Sequence, residues 1–178
     1  MKNFVRAAVV IAMCGMSAFV CAQDSTKDSK LIADCHTSRT AFTKTDSLMQ
    51  SLFDNAAGYV IFPNIGKGGI GVGGAAGNGI LFQQGQAVGK ANMKQVSVGF
   101  QFGGQAYREV IFFERHDALD RFKQNDFEFS AQASAIAVKE GASTNVKYRN
   151  GVMVFTQGKG GLMYEASIGG QKFSYKAY

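Results

Sequence analysis

The stretch from Gly58 to Phe82 constrains the fold of this chain more than any other. It opens with the apolar run Tyr59-Val60-Ile61-Phe62, which is typical of a buried strand. Pro63 is the single proline of the chain, and we expect it to end that strand before a turn at Asn64.

Beyond this turn, glycine occupies every second position. Gly69, Gly71 and Gly73 alternate with Ile70 and Val72, and successive residues of a strand point to opposite faces. One face would therefore carry hydrogen atoms only. Glycine weakens a strand because it costs chain entropy and packs nothing. We expect such a face where another backbone, a helix or a ligand comes very close.

Residues 1–22 have the organisation of a secretory signal peptide. Lys2 and Arg6 precede the apolar segment Ala7–Val20, and Cys21-Ala22 completes a cleavage site. The sequence thus predicts export, to the periplasm or the medium, with peripheral attachment to the outer membrane as a further location. Lipid anchoring at Cys21 is less favoured, because the residues before it match a lipobox poorly.

The mature chain, residues 23–178, has the length of a single domain with a real core. Its 17 basic and 13 acidic residues give a formal charge of +4 once Lys2 and Arg6 are removed. This mild excess suits anionic surfaces and does not indicate a nucleic-acid partner. Cys35 would be the only cysteine left, and its place on an apolar helical stripe predicts a packed thiol.

The hydrophobic periodicity predicts two amphipathic helices between Lys30 and Asn55, and a short internal helix after His116. Alternating or branched apolar segments predict strands at residues 58–82, 96–103, 108–114, 127–138, 152–156, 162–168 and 172–175. This order predicts an α+β domain. Its core would be an antiparallel, curved or barrel-like sheet, with two N-terminal helices and one short internal helix.

Two segments of the chain resemble each other. Val60-Ile-Phe-Pro-Asn-Ile-Gly-Lys-Gly-Gly-Ile is similar to Met153-Val-Phe-Thr-Gln-Gly-Lys-Gly-Gly-Leu, which has one residue fewer before its Gly-Lys-Gly-Gly. This echo predicts paired hairpins in one sheet, with Lys67 and Lys159 in one cationic patch. Glycine-rich turns can help a lysine hold a phosphate through backbone amides. The alternative is that both lysines are ordinary solvated turn residues.

The sequence offers little for catalysis. Gly66–Gly71 matches G-x-G-x-x-G, but a dinucleotide site needs a helix directly afterwards, and the residues that follow are poor helix formers. His36 and His116 are the only histidines and lack metal-ligand spacing. We therefore expect no enzyme activity, no catalytic residues, no metal and no cofactor.

Several motifs resemble the SYLF domain family: Ala57-Gly-Tyr-Val-Ile-Phe-Pro-Asn, Gly69-Ile-Gly-Val-Gly-Gly, Val98-Gly-Phe-Gln-Phe-Gly-Gly-Gln-Ala and Lys159-Gly-Gly-Leu. The similarity runs from about Leu48 to the C-terminus. It implies a lipid-binding module, because eukaryotic members bind phosphoinositides. Some yeast members also bind actin, and bacterial members are exported proteins. The family commonly has a lysine where this chain has Ala57, so only Lys67 and, through the echo, Lys159 are carried over as lipid-binding residues.

The leading hypothesis is a non-enzymatic module that recognises anionic phospholipid, of phosphoinositide type, at a membrane face. The alternative is a structural or protein-interaction domain of the cell envelope, with actin binding implied by family resemblance alone. The sequence names no protein partner.

Overall fold

The computed structural model describes residues 26–70, 72–98, 105–130, 133–144, 146–159 and 166–178. The predicted signal peptide and Gly71 lie outside these ranges. The helices are α1 (residues 26–45), α2 (Met49–Asn55) and α3 (His116–Lys123). The strands are β1 (Gly58–Ile70), β2 (Val72–Gln83), β3 (Gln86–Val98), β4 (Gln105–Phe113), β5 (Ser134–Ala137), β6 (Val152–Gly158), β7 (Ala166–Ser167) and β8 (Gln171–Ala177).

The strands form one sheet in the order β7-β5-β6-β4-β1-β2-β3-β8. All neighbours are antiparallel except β5 and β6. The predicted α+β class is confirmed, with two N-terminal helices and one short internal helix beside a mostly antiparallel sheet. The sheet is not closed. Residues just before β5 instead bond to the start of β8: Phe129 N–H donates to Gln171 O at 3.1 Å, and Gly170 N–H donates to Phe129 O at 3.1 Å. We call this junction the seam.

Both faces of the central strands are buried, which explains the continuous apolar run at the start of β1. On one face, here the α1 face, α1 and α2 contribute Cys35, Phe42, Met49 and Phe53, which pack against alternate residues of the strands such as Ile61. On the other face, here the α3 face, the core contains Val60, Phe62, Leu119, Phe122 and Phe173.

Pro63 does not end β1, contrary to the expectation from sequence. The register shifts between Phe62 and Ile65 against β4, so one extra residue of β1 is accommodated as a β-bulge. A bulge is one of the few places where a central strand tolerates proline, because the ladder hydrogen bond is already missing there. The extra residue that distinguishes the first segment of the echo from the second is therefore this bulge.

Strand β5 is much shorter than the predicted strand at residues 127–138. The alternation that suggested a strand is real, since Phe127 and Phe129 both join the α3-face core. These residues lie at the seam, however, where only a few backbone hydrogen bonds link them to β8.

Candidate functional site

The α1 face extends past the two N-terminal helices toward the glycine-rich end of the sheet, where its residues are exposed. We call this part the open face. The strand registers place the following exposed residues on it: Asn64, Gly66, Gly68, Ala76, Asn78, Asn92, Lys94, Val96, Ala106 and Lys159. A Cβ atom built on Gly66 or Gly68 meets nothing within 4 Å. These glycines therefore expose sheet backbone with no side chain above it.

A close approach of the kind that we expected at Gly69, Gly71 and Gly73 is found further along β2, at Gly77 and Gly79. A Cβ on Gly79 would lie 2.5 Å from Ile61 O and 2.7 Å from Phe62 Cδ1. On Gly77 it would lie 2.8 Å from Ile65 Cγ1. Glycine is thus required at these two positions by packing within the sheet, whereas the glycines of the open face have no such packing reason.

Lysines line the β3–β8 side of the open face. Lys94 lies directly opposite Lys172, and Lys90 lies opposite Lys176. Like charges directly opposite one another on neighbouring strands destabilise a sheet. Two of the four are neutralised: Lys90 Nζ lies 3.0 Å from Asp28 Oδ2, and Lys172 Nζ lies 3.4 Å from Glu128 Oε2.

Lys94 and Lys176 have no ion-pair partner among the residues that the structure describes. Both side chains are exposed. The β3–β8 side of the surface therefore retains positive charge. Val96, on the same face of β3 as Lys94, is an exposed large apolar residue with 76 % of its surface accessible.

Lys159 flanks the open face on the opposite side. Its backbone N–H donates to Ala106 O at 3.0 Å, which continues the β4–β6 ladder by one residue. Its Nζ donates to Asn64 Oδ1 at 3.3 Å in an exposed position. Arg108 lies on the same face, between Lys159 and the helices. Its guanidinium donates to Gln157 Oε1 at 3.2 Å, and burial lowers its pKa.

Lys67 lies at the same end of the sheet but on the other face. It pairs with Ala75, whose side chain belongs to the α3-face core. The echo thus brings the two predicted lysines to the same end of one sheet, on strands that both flank β4. It does not bring them to one face, so the predicted joint patch of Lys67 and Lys159 is absent from the structure.

Sequence reasoning did not identify Lys94, Lys172 and Lys176 as site residues. The available signal was the spacing of Lys90 from Lys94 and of Lys172 from Lys176, because residues four apart in a strand lie on the same face. Residues 86–95 were not assigned to a strand from sequence, because the polar and glycine content of residues 83–89 is typical of a hairpin connection. Without β3 over its full length, Lys94 had no predicted neighbour on β8.

One buried carboxyl lies on the α3 face, away from this surface. Glu109 is 0 % exposed and accepts a hydrogen bond from Gln171 Nε2 at 3.2 Å. Burial raises the pKa of Glu109 to about 8, although the bond from Gln171 favours the ionised form. Thr156 lies directly opposite on β6 and is also fully buried.

In the described ranges, no group of three or more histidine, cysteine, aspartate or glutamate residues is placed to hold a metal ion. None of the helices in these ranges is long and apolar enough to cross a membrane.

Comparison with known proteins connects this fold to a family. Residues 94–177, which run from within β3 to the end of β8, match the family model Ysc84, described as "Las17-binding protein actin regulator". The chain is also 31 % identical over 125 residues to beta cell expansion factor A of Aeromonas veronii. That alignment covers 68 % of this chain and 47 % of the relative, so the chain spans about half the length of that protein. These matches confirm the resemblance found in the motifs, and the chain belongs to the SYLF (Ysc84) family.

Proposed function

We propose that this protein is a non-enzymatic module that binds the surface of anionic phospholipid membranes through the open face. The observation that carries the proposal is a stretch of bare sheet backbone at Gly66 and Gly68, flanked by Lys94 on one side and Lys159 on the other. A surface without protruding side chains can lie flat against a layer of headgroups, and the lysines at its margins supply the attraction.

Charge provides the larger part of the expected affinity. A lysine near an anionic membrane contributes about 1 kcal/mol, and salt screens this attraction within a Debye length. Lys172 is already paired with Glu128, so the positive charge left on this side belongs to Lys94 and Lys176, which an anionic headgroup would neutralise. Val96 adds a small apolar group that can enter the interfacial layer.

Vesicle co-sedimentation tests the proposal directly. The protein is expected to bind vesicles that contain an anionic phospholipid, to bind neutral vesicles weakly, and to be released as salt rises. The double variant Lys94→Gln, Lys159→Gln should lose about 2 kcal/mol, or roughly 30-fold in affinity, with a shallower dependence on salt. Equal binding of wild type to neutral and anionic vesicles would refute the electrostatic mechanism.

Two further variants locate the contact. Arg115→Gln removes the same charge at an exposed position beyond the opposite end of β4, and we expect it to bind like the wild type. Lys67→Gln distinguishes the sequence prediction, in which Lys67 binds lipid, from the present proposal, in which Lys94 and Lys159 do. A loss at Lys67 as large as that at Lys159 would assign the contact to the whole sheet end and not to the open face.

A further inference from the structure

A cleft of about 1280 Å³ opens at the seam of the sheet. It is lined by residues 125–130, by residues between Val146 and Val154, and by Lys172 and Phe173 at the start of β8. We call it the seam cleft. Pockets for small molecules usually measure about 300–1,000 Å³, so this volume is sufficient for a ligand larger than an inorganic ion.

The inner part of the seam cleft is aromatic. Phe127, Phe129 and Phe173 line it, with ring centroids 5.3 to 5.8 Å apart. All three belong to or pack against the α3-face core, and Phe127 is only partly buried. Because the sheet is not closed, the cleft leads from solvent to the edge of this core.

The outer part of the seam cleft is cationic. Arg121, Lys147 and Arg149 line it, all three are exposed, and none has an ion-pair partner in the described part of the chain. Arg121 Nη2 donates to Asn150 O at 3.4 Å, which places the guanidinium beside the turn that follows Arg149. Tyr148, between the two basic residues, packs on the α1-face core, consistent with Lys147 and Arg149 both pointing the other way.

The acidic residues of the seam cleft do not cancel this charge. Glu128 is paired with Lys172 at 3.4 Å, which leaves Asp126 against three cations. A free phosphate would use the cationic rim and leave the aromatic interior empty, while a neutral hydrocarbon would leave the rim unpaired. A ligand that satisfies both parts must carry an anionic head and an apolar chain.

We propose that the seam cleft binds one molecule of an anionic amphiphile with a single alkyl or acyl chain, the head against Arg121, Lys147 and Arg149 and the chain among the phenylalanines. This inference rests on the proposed function in that the amphiphile is taken from the same anionic membrane. It adds a second, stoichiometric site for a lipid monomer that is distinct from the open face.

Isothermal titration with alkyl phosphates below their critical micelle concentrations tests the proposal. Dodecyl phosphate should bind the purified protein in a 1:1 ratio, and affinity should rise about fourfold for each additional methylene that enters the cleft, from butyl through octyl to dodecyl phosphate. The double variant Lys147→Gln, Arg149→Gln should lose at least tenfold in affinity for dodecyl phosphate at an unchanged melting temperature. Lys30→Gln, at an exposed position that does not line the cleft, is the control and should bind dodecyl phosphate like the wild type.

Three results would overturn the inference. These are equal affinity for butyl and dodecyl phosphate, equal affinity for dodecyl phosphate and the nonionic dodecyl maltoside, and unchanged affinity in the Lys147, Arg149 double variant. The proposed function has a separate readout. Binding to anionic vesicles without binding of dodecyl phosphate would remove the cleft site and leave the proposed function in place, whereas the reverse pattern would refute the proposed function alone.

Discussion

Glu109 provides the sharpest test of the structure, because its carboxyl is fully buried and uncharged at neutral pH. Its folded pKa is about 8, against an ordinary value of 4.5. Between these two values the folded state holds a proton that the unfolded state has released. Stability must therefore fall as pH rises through this window, by about 1.4 kcal/mol per pH unit for one such group.

Replacing Glu109 with glutamine removes this dependence, because the amide is neutral in both states and keeps the shape of the side chain. At pH 7 the wild type loses about 3 kcal/mol to the proton taken up on folding, and at pH 5 the loss is below about 1 kcal/mol. The stability of Glu109→Gln relative to the wild type should therefore increase steadily from pH 5 to pH 8. Gln171 still has a carbonyl acceptor at this position, so its hydrogen bond is retained.

Urea denaturation of both proteins at several pH values between 5 and 8 measures this difference. Glu114→Gln, at an exposed position five residues along the chain, is the control and should change stability by less than about 0.5 kcal/mol at every pH. A difference between wild type and Glu109→Gln that stays constant from pH 5 to pH 8 would show that Glu109 is ionised in the folded protein. The reasoning from its burial would then be wrong.

Three other predictions concern the packing and hydrogen bonding of buried residues. Gly79→Ala should destabilise the fold by about 1–3 kcal/mol in thermal or chemical denaturation, because its Cβ would overlap Ile61 O, while Gly68→Ala should cost at most a few tenths of that. Cys35 is buried and its pKa is raised to about 12 by burial, so a thiol reagent should label it only after unfolding, and Cys35→Ala should cost about 1 kcal/mol. Burial alone would raise the pKa of Asp46, but hydrogen bonds from Ser143 and nearby backbone amides hold this pKa below the usual range. Asp46→Asn should therefore reduce the free energy of unfolding by about 1–3 kcal/mol at pH 7. The advantage of the wild type should vanish as acid protonates the carboxyl.

Periodicity predicted the two N-terminal helices and the start of β1, because burial acts on each element locally. The run at Tyr59–Phe62 is apolar at every position, and β1 is buried on both faces as that pattern indicates. The two N-terminal helices follow from apolar stripes that include Cys35 and Phe53, which do face the sheet. The strand predicted at residues 127–138 is longer than the observed β5. Apolar alternation records burial against the core, and it does not show whether the backbone bonds to a neighbouring strand.

By itself, then, the sequence determined the α+β class, the echo between β1 and β6, and the arrival of two lysines at one end of a sheet. Only the tertiary structure decided which face each lysine occupies. Phe62 pairs with Glu109 on β4, while Phe155, its counterpart in the echo, pairs with the next residue, Val110. A shift of one residue in register moves every side chain to the other face. Register is fixed by packing between strands distant in the chain, so the separation of Lys67 from Lys159 could not be predicted from either segment alone.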